Sequence, residues 1–439
     1  YLIRHGTTIY NKKGIFQGSM DVPLGRFCAG GSYLPTYHWL LTVSCTKDLQ
    51  ENTPVSGKDS DKVTLLIAAD EVTKTTFGDN FEVKWEDASD KIGIFIASSS
   101  TNVPASLIRD KAGKAYFKAE VSNYNAEDQL CAYYPYAKNA GKDVSKVTLK
   151  VPYIQTQAAP NIFNGSNNPM VAVPMSLPYA GTTVNNPLKF RHIGAVLEFD
   201  ITGVPATEKL KSVQFVSSNA YPATDNSIYD LTSVTEDGKV NTVAGTYYKS
   251  VTVSLQGDGF TPGQSAKVYM TIVPGTYNGN IYISTDKNLY RYEGQTIDVD
   301  RAAVKTIKAD LSSGSADKSK EIKSALDYEV FAMAANAGDY SAWVDGAGEV
   351  KLGANISTPT YFTRIQEVWT GKFNGQNNTI KQDASVVPLF TVIDEKASVS
   401  NLVLEGSKKS MANAGGYGSA AVAQINKGTI ENVTNKMVT

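Results

Sequence analysis

Arg4 and His5 stand side by side near the start of the chain, in Leu2-Ile3-Arg4-His5-Gly6-Thr7-Thr8. An imidazole is a good phosphoryl acceptor, and a guanidinium grips phosphate oxygens through paired hydrogen bonds. At the end of a short apolar strand they could take up and hold a phosphoryl group. A thiol at Cys45 follows the apolar stretch Trp39-Leu40-Leu41-Thr42-Val43-Ser44, a place where a lipid could be attached. Tyr133, Tyr134 and Tyr136 gather around Pro135, and exposed tyrosine rings can stack on sugars while their hydroxyls stay wet. Phosphoryl transfer, acylation and carbohydrate contact each ask something different of the surrounding elements.

The first asks the most. Residues 1–25 continue through Asn11, Gly14, Phe16-Gln17-Gly18 and Asp21-Val22-Pro23-Leu24. This order resembles the opening of the phosphoglycerate mutase branch of the histidine phosphatases. The resemblance implies that His5 is phosphorylated and that Arg4 holds the phosphoryl group. That family also needs a second Arg, an acid and a second His spread over a full α/β domain. After Gly25 none of them occurs in order, and helix–strand alternation never begins. A catalytic constellation has to be held to within about half an ångström, which a strand and a loop cannot do. Residues 1–27 are therefore expected to be a fragment fused to an unrelated protein, with no catalytic residue. A phosphohistidine-dependent phosphatase or mutase using His5 is the alternative.

The bulk composition fits a structural protein. The formal net charge is −1, so nothing in it calls for nucleic acid or an anionic membrane. The 24 Tyr, together with runs of Val, Ile and Thr punctuated by 35 Gly, suit pleated, half-buried surfaces. An all-β protein is the first expectation. The cysteines, Cys28, Cys45 and Cys131, are three, an odd count without disulfide or zinc spacing. His5, His38 and His192 are too scattered for a metal site, and no cofactor is expected. No apolar run reaches the length of a membrane-spanning helix. The chain opens on Tyr1 and stops inside a repeat pattern, as expected of a fragment at both ends.

The segment before Cys45 looks like a bacterial lipoprotein signal ending at its acylated Cys. Gly30, Gly31, Pro35 and His38 interrupt the upstream apolar region, as they would if the true signal had been replaced. Residues 46–62 are polar and cannot bury enough surface to order themselves. Residues 28–62 are thus expected to be a degraded signal and a tether, with the outer-membrane lipid as partner through Cys45 in the native parent.

From Val63 the chain becomes strand-rich. Phe81-Glu82-Val83-Lys84-Trp85 alternates and Lys91-Ile92-Gly93-Ile94-Phe95-Ile96 follows. Leu130-Cys131-Ala132-Tyr133-Tyr134-Pro135-Tyr136 comes next, and Pro135 should end that strand or place it at an edge. In Ala195-Val196-Leu197-Glu198-Phe199-Asp200-Ile201 the apolar residues fall on one face, with Glu198 and Asp200 on the other. His192 just before it suits a packed structural role. Strands are also expected at 210–216, 249–255, 268–273 and 281–283, with Pro274-Gly275-Thr276-Tyr277-Asn278-Gly279 as a turn.

The order of these segments over residues 63 to about 312 resembles the fimbrillin family of Bacteroidetes surface proteins. The resemblance implies two tandem Greek-key β-sandwich domains of transthyretin-like type, at 63–185 and 186–312. It also implies a lipid anchor and a role as pilus subunit or adhesin. Polymerising members lose an N-terminal strand to a protease that cuts after Arg, and a strand from the next subunit fills the groove. No Arg lies between Cys45 and Val63 here, a departure from that route.

Residues 313–320 read as a linker. Ile322, Leu326, Val330, Met333 and Ala337 then recur at helical spacing, with Gly338 as a stop, placing a linker and helix at 313–340. Beyond lie Gly371-Lys372-Phe373-Asn374-Gly375 and Val399-Ser400-Asn401-Leu402, echoed by Ile430-Glu431-Asn432-Val433. Leu389-Phe390 and Ala421-Val422 fill matching slots. The repeat at 341–439 looks like one or two coils of a truncated right-handed parallel β-helix. No carboxylate pair at a hydrolytic spacing accompanies it.

The function expected is therefore non-enzymatic, a lipid-anchored cell-surface adhesin or pilus-associated protein of the outer membrane or fimbrium. Its partners would be other fimbrial subunits, or host or bacterial surface glycans or proteins. A glycan-binding surface module that does not polymerise, with Tyr133, Tyr134 and Tyr136 as candidate ligand contacts, is a further alternative. Core and edge packing is the simpler role for those tyrosines.

Overall fold

Alternating β-branched and aromatic residues become strands throughout a computed structural model. It describes residues 62–69, 76–77, 83–85, 90–96, 101–110, 113–122, 124–179, 181–261, 265–312, 318–358, 363–382, 387–406 and 421–436. All belong to one unit, Asp59–Thr439. The fold is nearly all-β, with one α-helix among the described residues, Ala325–Asn336.

A nine-stranded sheet builds the first body. Its order is Thr183–Leu188, Val63–Ala69, Ala115–Val121, Val103–Arg109, Lys91–Ile96, Gln129–Tyr134, Met170–Ala172 and Phe190–His192, with Met175–Ser176 added on Gln129–Tyr134. The strands at its two ends are separated in the chain only by Lys189. Two residues span about 7 Å, so the sheet curls until its edges approach, around a core that includes Leu65, Ile94, Phe117 and Leu188. Curling in this way removes two open edges.

Ala115–Val121 buries every second residue, the pattern of a half-covered strand. Lys91–Ile96 and Gln129–Tyr134 instead bury five residues in succession. Their outer face, with Phe95, Cys131 and Tyr133, is covered by Leu149, Tyr229 and Leu231. Leu149 and Tyr229 come from a second sheet of Val147–Val151, Ala223–Asp230 and Asn241–Tyr248, and Leu231 opens the short 3-10 turn that follows Asp230. A strand covered on both faces loses its alternation.

The second body packs a three-stranded sheet (Ser265–Ile272, Ala195–Thr202, Val304–Asp310) on a five-stranded one. The latter runs Leu289–Val299, Gly275–Thr285, Leu210–Ser217, Ser250–Leu255, Ile154–Gln157. Its last strand comes from before residue 185 and runs parallel to Ser250–Leu255. Leu197, Phe199, Val213, Val253 and Ile283 fill the space between the sheets.

Two local expectations need correction here. Glu198 does not face water, since it is 2% exposed. Phe163 crosses that face beside Val196 and Tyr269, and Lys267 Nζ at 3.1 Å and Thr306 Oγ1 at 3.2 Å partner the carboxylate. Nor is 274–279 a turn, because Gly275–Thr285 is one strand. A β-carbon on Gly279 would lie 1.9 Å from the carbonyl oxygen of Val216, so this glycine marks a close backbone approach.

The C-terminal residues coil. Glu349–Lys351, Lys372–Asn374, Ser398–Gly406 and Thr429–Asn435 pair in parallel, one above the next. Ile365–Trp369, Phe390–Ile393 and Ala423–Asn426 form a second parallel ladder. Three successive steps are therefore present, more than the one or two coils expected. Val350, Phe373 and Val399 stack inside, as do Ile356, Ile380 and Leu404. Asn374, Asn401 and Asn432 also stack: Asn401 Nδ2 donates to Asn374 Oδ1 and Asn432 Nδ2 to Asn401 Oδ1, both at 3.2 Å. The helix begins at Ser324, whose hydroxyl accepts from Asp327 N, and stops before Gly338 at φ +77°. Ile322 is not on it; it bridges to Leu352 of the coil.

Candidate functional site

Arg4, His5 and Cys45 lie outside the described residues. Tyr133 is wholly buried and Tyr134 is 3% exposed. The Tyr133 hydroxyl donates to Asn102 Oδ1 or Ala137 O, both at 3.0 Å, and Tyr134 donates to Asp90 Oδ1 at 2.9 Å. Burial pushes the Tyr133 phenol above its usual range. Tyr136 is half-buried against the same outer core. Neither Tyr133 nor Tyr134 offers a ring face to a sugar.

These tyrosines do position the first body. Trp85 packs edge-on against Phe117, Tyr134 and Phe190, with ring centroids 4.9, 5.4 and 5.5 Å away. Such pairs add about 0.5–1.5 kcal/mol each beyond the area they bury. On the other face Gly93 pairs with Tyr133 across the strands. A β-carbon on Gly93 would lie 2.0 Å from Tyr133 Cε1. The ring fills the space that a side chain would need. Segments more than a hundred residues apart thus meet at one hub.

The remaining candidate groups are muted by burial. Cys131 is buried and its thiol is pushed up to about 12, by desolvation first and by the charge of Asp230 second. A thiolate is the reactive form, so this side chain behaves as a small apolar group. Burial lowers the His192 imidazole to about 4. Its Nδ1 has no hydrogen-bond partner among the described groups.

The joint between the second body and the coil holds a buried ion pair. Arg291 and Asp327 have 0% and 1% of their side chains exposed and meet at 3.1 Å. Tyr282 donates to the same carboxylate at 2.7 Å, and Arg291 Nη2 reaches Glu321 O at 3.1 Å. The guanidinium also lies over the rings of Tyr282 and Trp343. Beside this joint a cleft of about 240 Å³ opens between the five-stranded sheet and the helix. Ser212, Gln214 and Thr252 line its sheet side; Met333, Asp339 and Trp343 line the cap side. Gln214 Nε2 contacts Met333 Sδ at 3.6 Å, and the Thr252 hydroxyl is buried without a partner. The cleft has room for water or one small polar molecule.

A seam of glutamines closes the opposite edge of the second body. Thr271 N donates to Gln155 Oε1 and Tyr269 N to Gln157 Oε1, both at 2.9 Å. In return Gln155 Nε2 donates to Thr271 O at 2.6 Å, and Gln157 Nε2 to Lys267 O at 2.9 Å. The side-chain amides stand in for another strand. Sequence reasoning did not find this seam or the Arg291–Asp327 pair. The signal for the seam is two glutamines at alternate positions of a short strand; the ion pair has no local signal.

The class these features define is an all-β chain of successive β-bodies followed by a parallel coil. No family model matches the sequence, and no curated protein matches it. Solved structures similar to it include a provisionally named cell adhesion protein from Bacteroides uniformis. That protein has 14% identity and a TM-score of 0.39, over 58% of this chain and 95% of the other. A fimbrial protein from Bacteroides ovatus has 11% identity and a TM-score of 0.29, over 57% and 49%. A fimbrial assembly protein from Parabacteroides distasonis has 7% identity and a TM-score of 0.28, over 57% and 92%.

Proposed function

We propose that this chain is a non-enzymatic structural protein of the cell surface, acting in adhesion or in the assembly of fimbriae. In this reading residues 63–185 and 186–312 are its tandem β-domains and 341–439 its coil, and a lipid on Cys45 anchors the native parent to the outer membrane. Its partners are fimbrial subunits or molecules of a neighbouring surface. One observation carries the reading. The segments whose order resembles the fimbrillins (Trp85, Ile92-Gly93-Ile94-Phe95, Ala132 to Tyr136, and Phe190 onward) come together on neighbouring strands around Trp85.

Two measurements test it. Cells expressing the parent with its intact signal should incorporate labelled fatty acid into this protein, and Cys45→Ala should abolish the label. Protease applied to intact cells should remove the chain; a protected, internal protein would overturn the reading. In a phosphatase assay, turnover that disappears in His5→Ala would restore the enzymatic alternative.

A further inference from the structure

We propose that Asn241–Tyr248 is a docking edge for the same strand of a second copy of this chain. This does not rest on the adhesion reading. The strand lies at the end of its sheet and pairs on one side only, with Ala223–Asp230. Most of its residues are exposed, Val243 by 62% and Tyr247 by 49%, while the Tyr248 ring stacks on Tyr153 at 4.1 Å and Tyr247 lies against Tyr221 at 5.8 Å. Its eight residues, Asn-Thr-Val-Ala-Gly-Thr-Tyr-Tyr, include no charge and no Pro. An uncharged, β-prone, exposed edge is a template for another strand.

Some other edges among the described strands are guarded. The glutamine seam covers Ser265–Ile272. Val304–Asp310 carries Lys305 and Lys308, and the first sheet brings its own edges together. Along the chain the nearest charges flank the strand, at Lys239 and Lys249, and across its paired side Asp225 and Asp230 lie opposite Thr246 and Asn241.

The occupant follows from self-complementarity. Two copies related by a two-fold axis through Gly245 pair antiparallel. Val243 then faces Tyr247 of the other copy, and Thr242 faces Tyr248, both in each direction. Aromatic with β-branched is a favourable cross-strand combination, and no like charges oppose. A single strand pair buries less than a stable interface needs. The contact is therefore weak in solution and gains force when many copies share a surface.

The test uses the full chain and charge pairs at exposed positions. Val243 and Tyr247 lie about 13 Å apart along their own strand, so they form no pair within one copy. The parent should dimerise reversibly with concentration in sedimentation velocity. Val243→Lys with Tyr247→Lys, and Val243→Glu with Tyr247→Glu, should each associate at least about tenfold more weakly, because like charges oppose twice. Mixing the two variants should restore a heterodimer, which also shows that both are folded. A parent that stays monomeric at millimolar concentration overturns the proposal. So does a double-lysine variant that dimerises like the parent, or a mixture that stays monomeric.

Discussion

Tyr133 occupies the space beside Gly93 that any β-carbon would take, at 2.0 Å from Cε1. Its ring cannot swing aside cheaply, because the residue is wholly buried and its hydroxyl is held at Asn102 and Ala137. Gly93→Ala should therefore destabilise the first body by about 1–3 kcal/mol or more, as overpacking does. Gly93→Ala in a Tyr133→Leu background should cost less than in the parent, because the two sites are coupled. Denaturant midpoints of the four proteins form the cycle; additive effects would contradict the contact.

Arg291 and Asp327 join the second body to the helix under the coil, both out of reach of solvent. Removing one charge strands the other in a dry interior, which costs about 3–5 kcal/mol. Arg291→Met should fall near the lower end, because Tyr282 and the Lys323 amide still donate to Asp327. Arg291→Met with Asp327→Asn should be milder than Arg291→Met alone. Thermal melts would show this, and a single variant as stable as the double would refute it.

The elements that were legible in the sequence are those whose cause is local. The strand at 210–216 and the glycine stop after the helix depend on neighbours within a few residues, and the echo of Asn401 by Asn432 shows as a repeat of the same short motif. Leu389 and Phe390 do pair with Ala421 and Val422 through backbone hydrogen bonds, as their matching slots suggested. The features not read correctly depend on distant partners. Glu198 looked solvent-facing because Phe163, which closes over that face, lies outside its strand. Gly279 has the composition of a turn, yet its role is set by the backbone of Val216. Ile322 fits the helical period but is claimed by Leu352 of the coil. Core packing was the simpler expectation for Tyr133 and Tyr134, but Asn102 and Asp90, which hold their hydroxyls, are remote in sequence. Their hydroxyl partners could be assigned only once the strands were paired.

Asn401 sits at φ +52° in the middle of the asparagine ladder. Asn401→Ala loses two side-chain hydrogen bonds and leaves in the left-handed region a residue without the short polar side chain that lets Asn adopt it, together about 2–3 kcal/mol. Asn401→Gly should recover the backbone share but not the ladder. Resistance of the coil to limited proteolysis should rank parent, glycine variant, alanine variant; an alanine variant as resistant as the parent would mean the ladder is idle.

His192 supplies an acid-sensitive element to the first body. Burial holds its imidazole at about 4 in the folded chain, against about 6.5 when unfolded. On acidification the unfolded chain binds the proton first. The favourable contribution is therefore complete above about pH 6.5 and is lost progressively as pH falls towards 4, by up to about 3 kcal/mol. His192→Leu keeps an apolar group in the site and removes the proton acceptor. Its stability relative to the parent should be nearly constant above pH 7 and should rise as pH drops from 6.5 to 4. Denaturation midpoints measured across that range decide the matter, since a difference that does not change with pH would mean that the imidazole is protonated as readily in the folded chain as in the unfolded one.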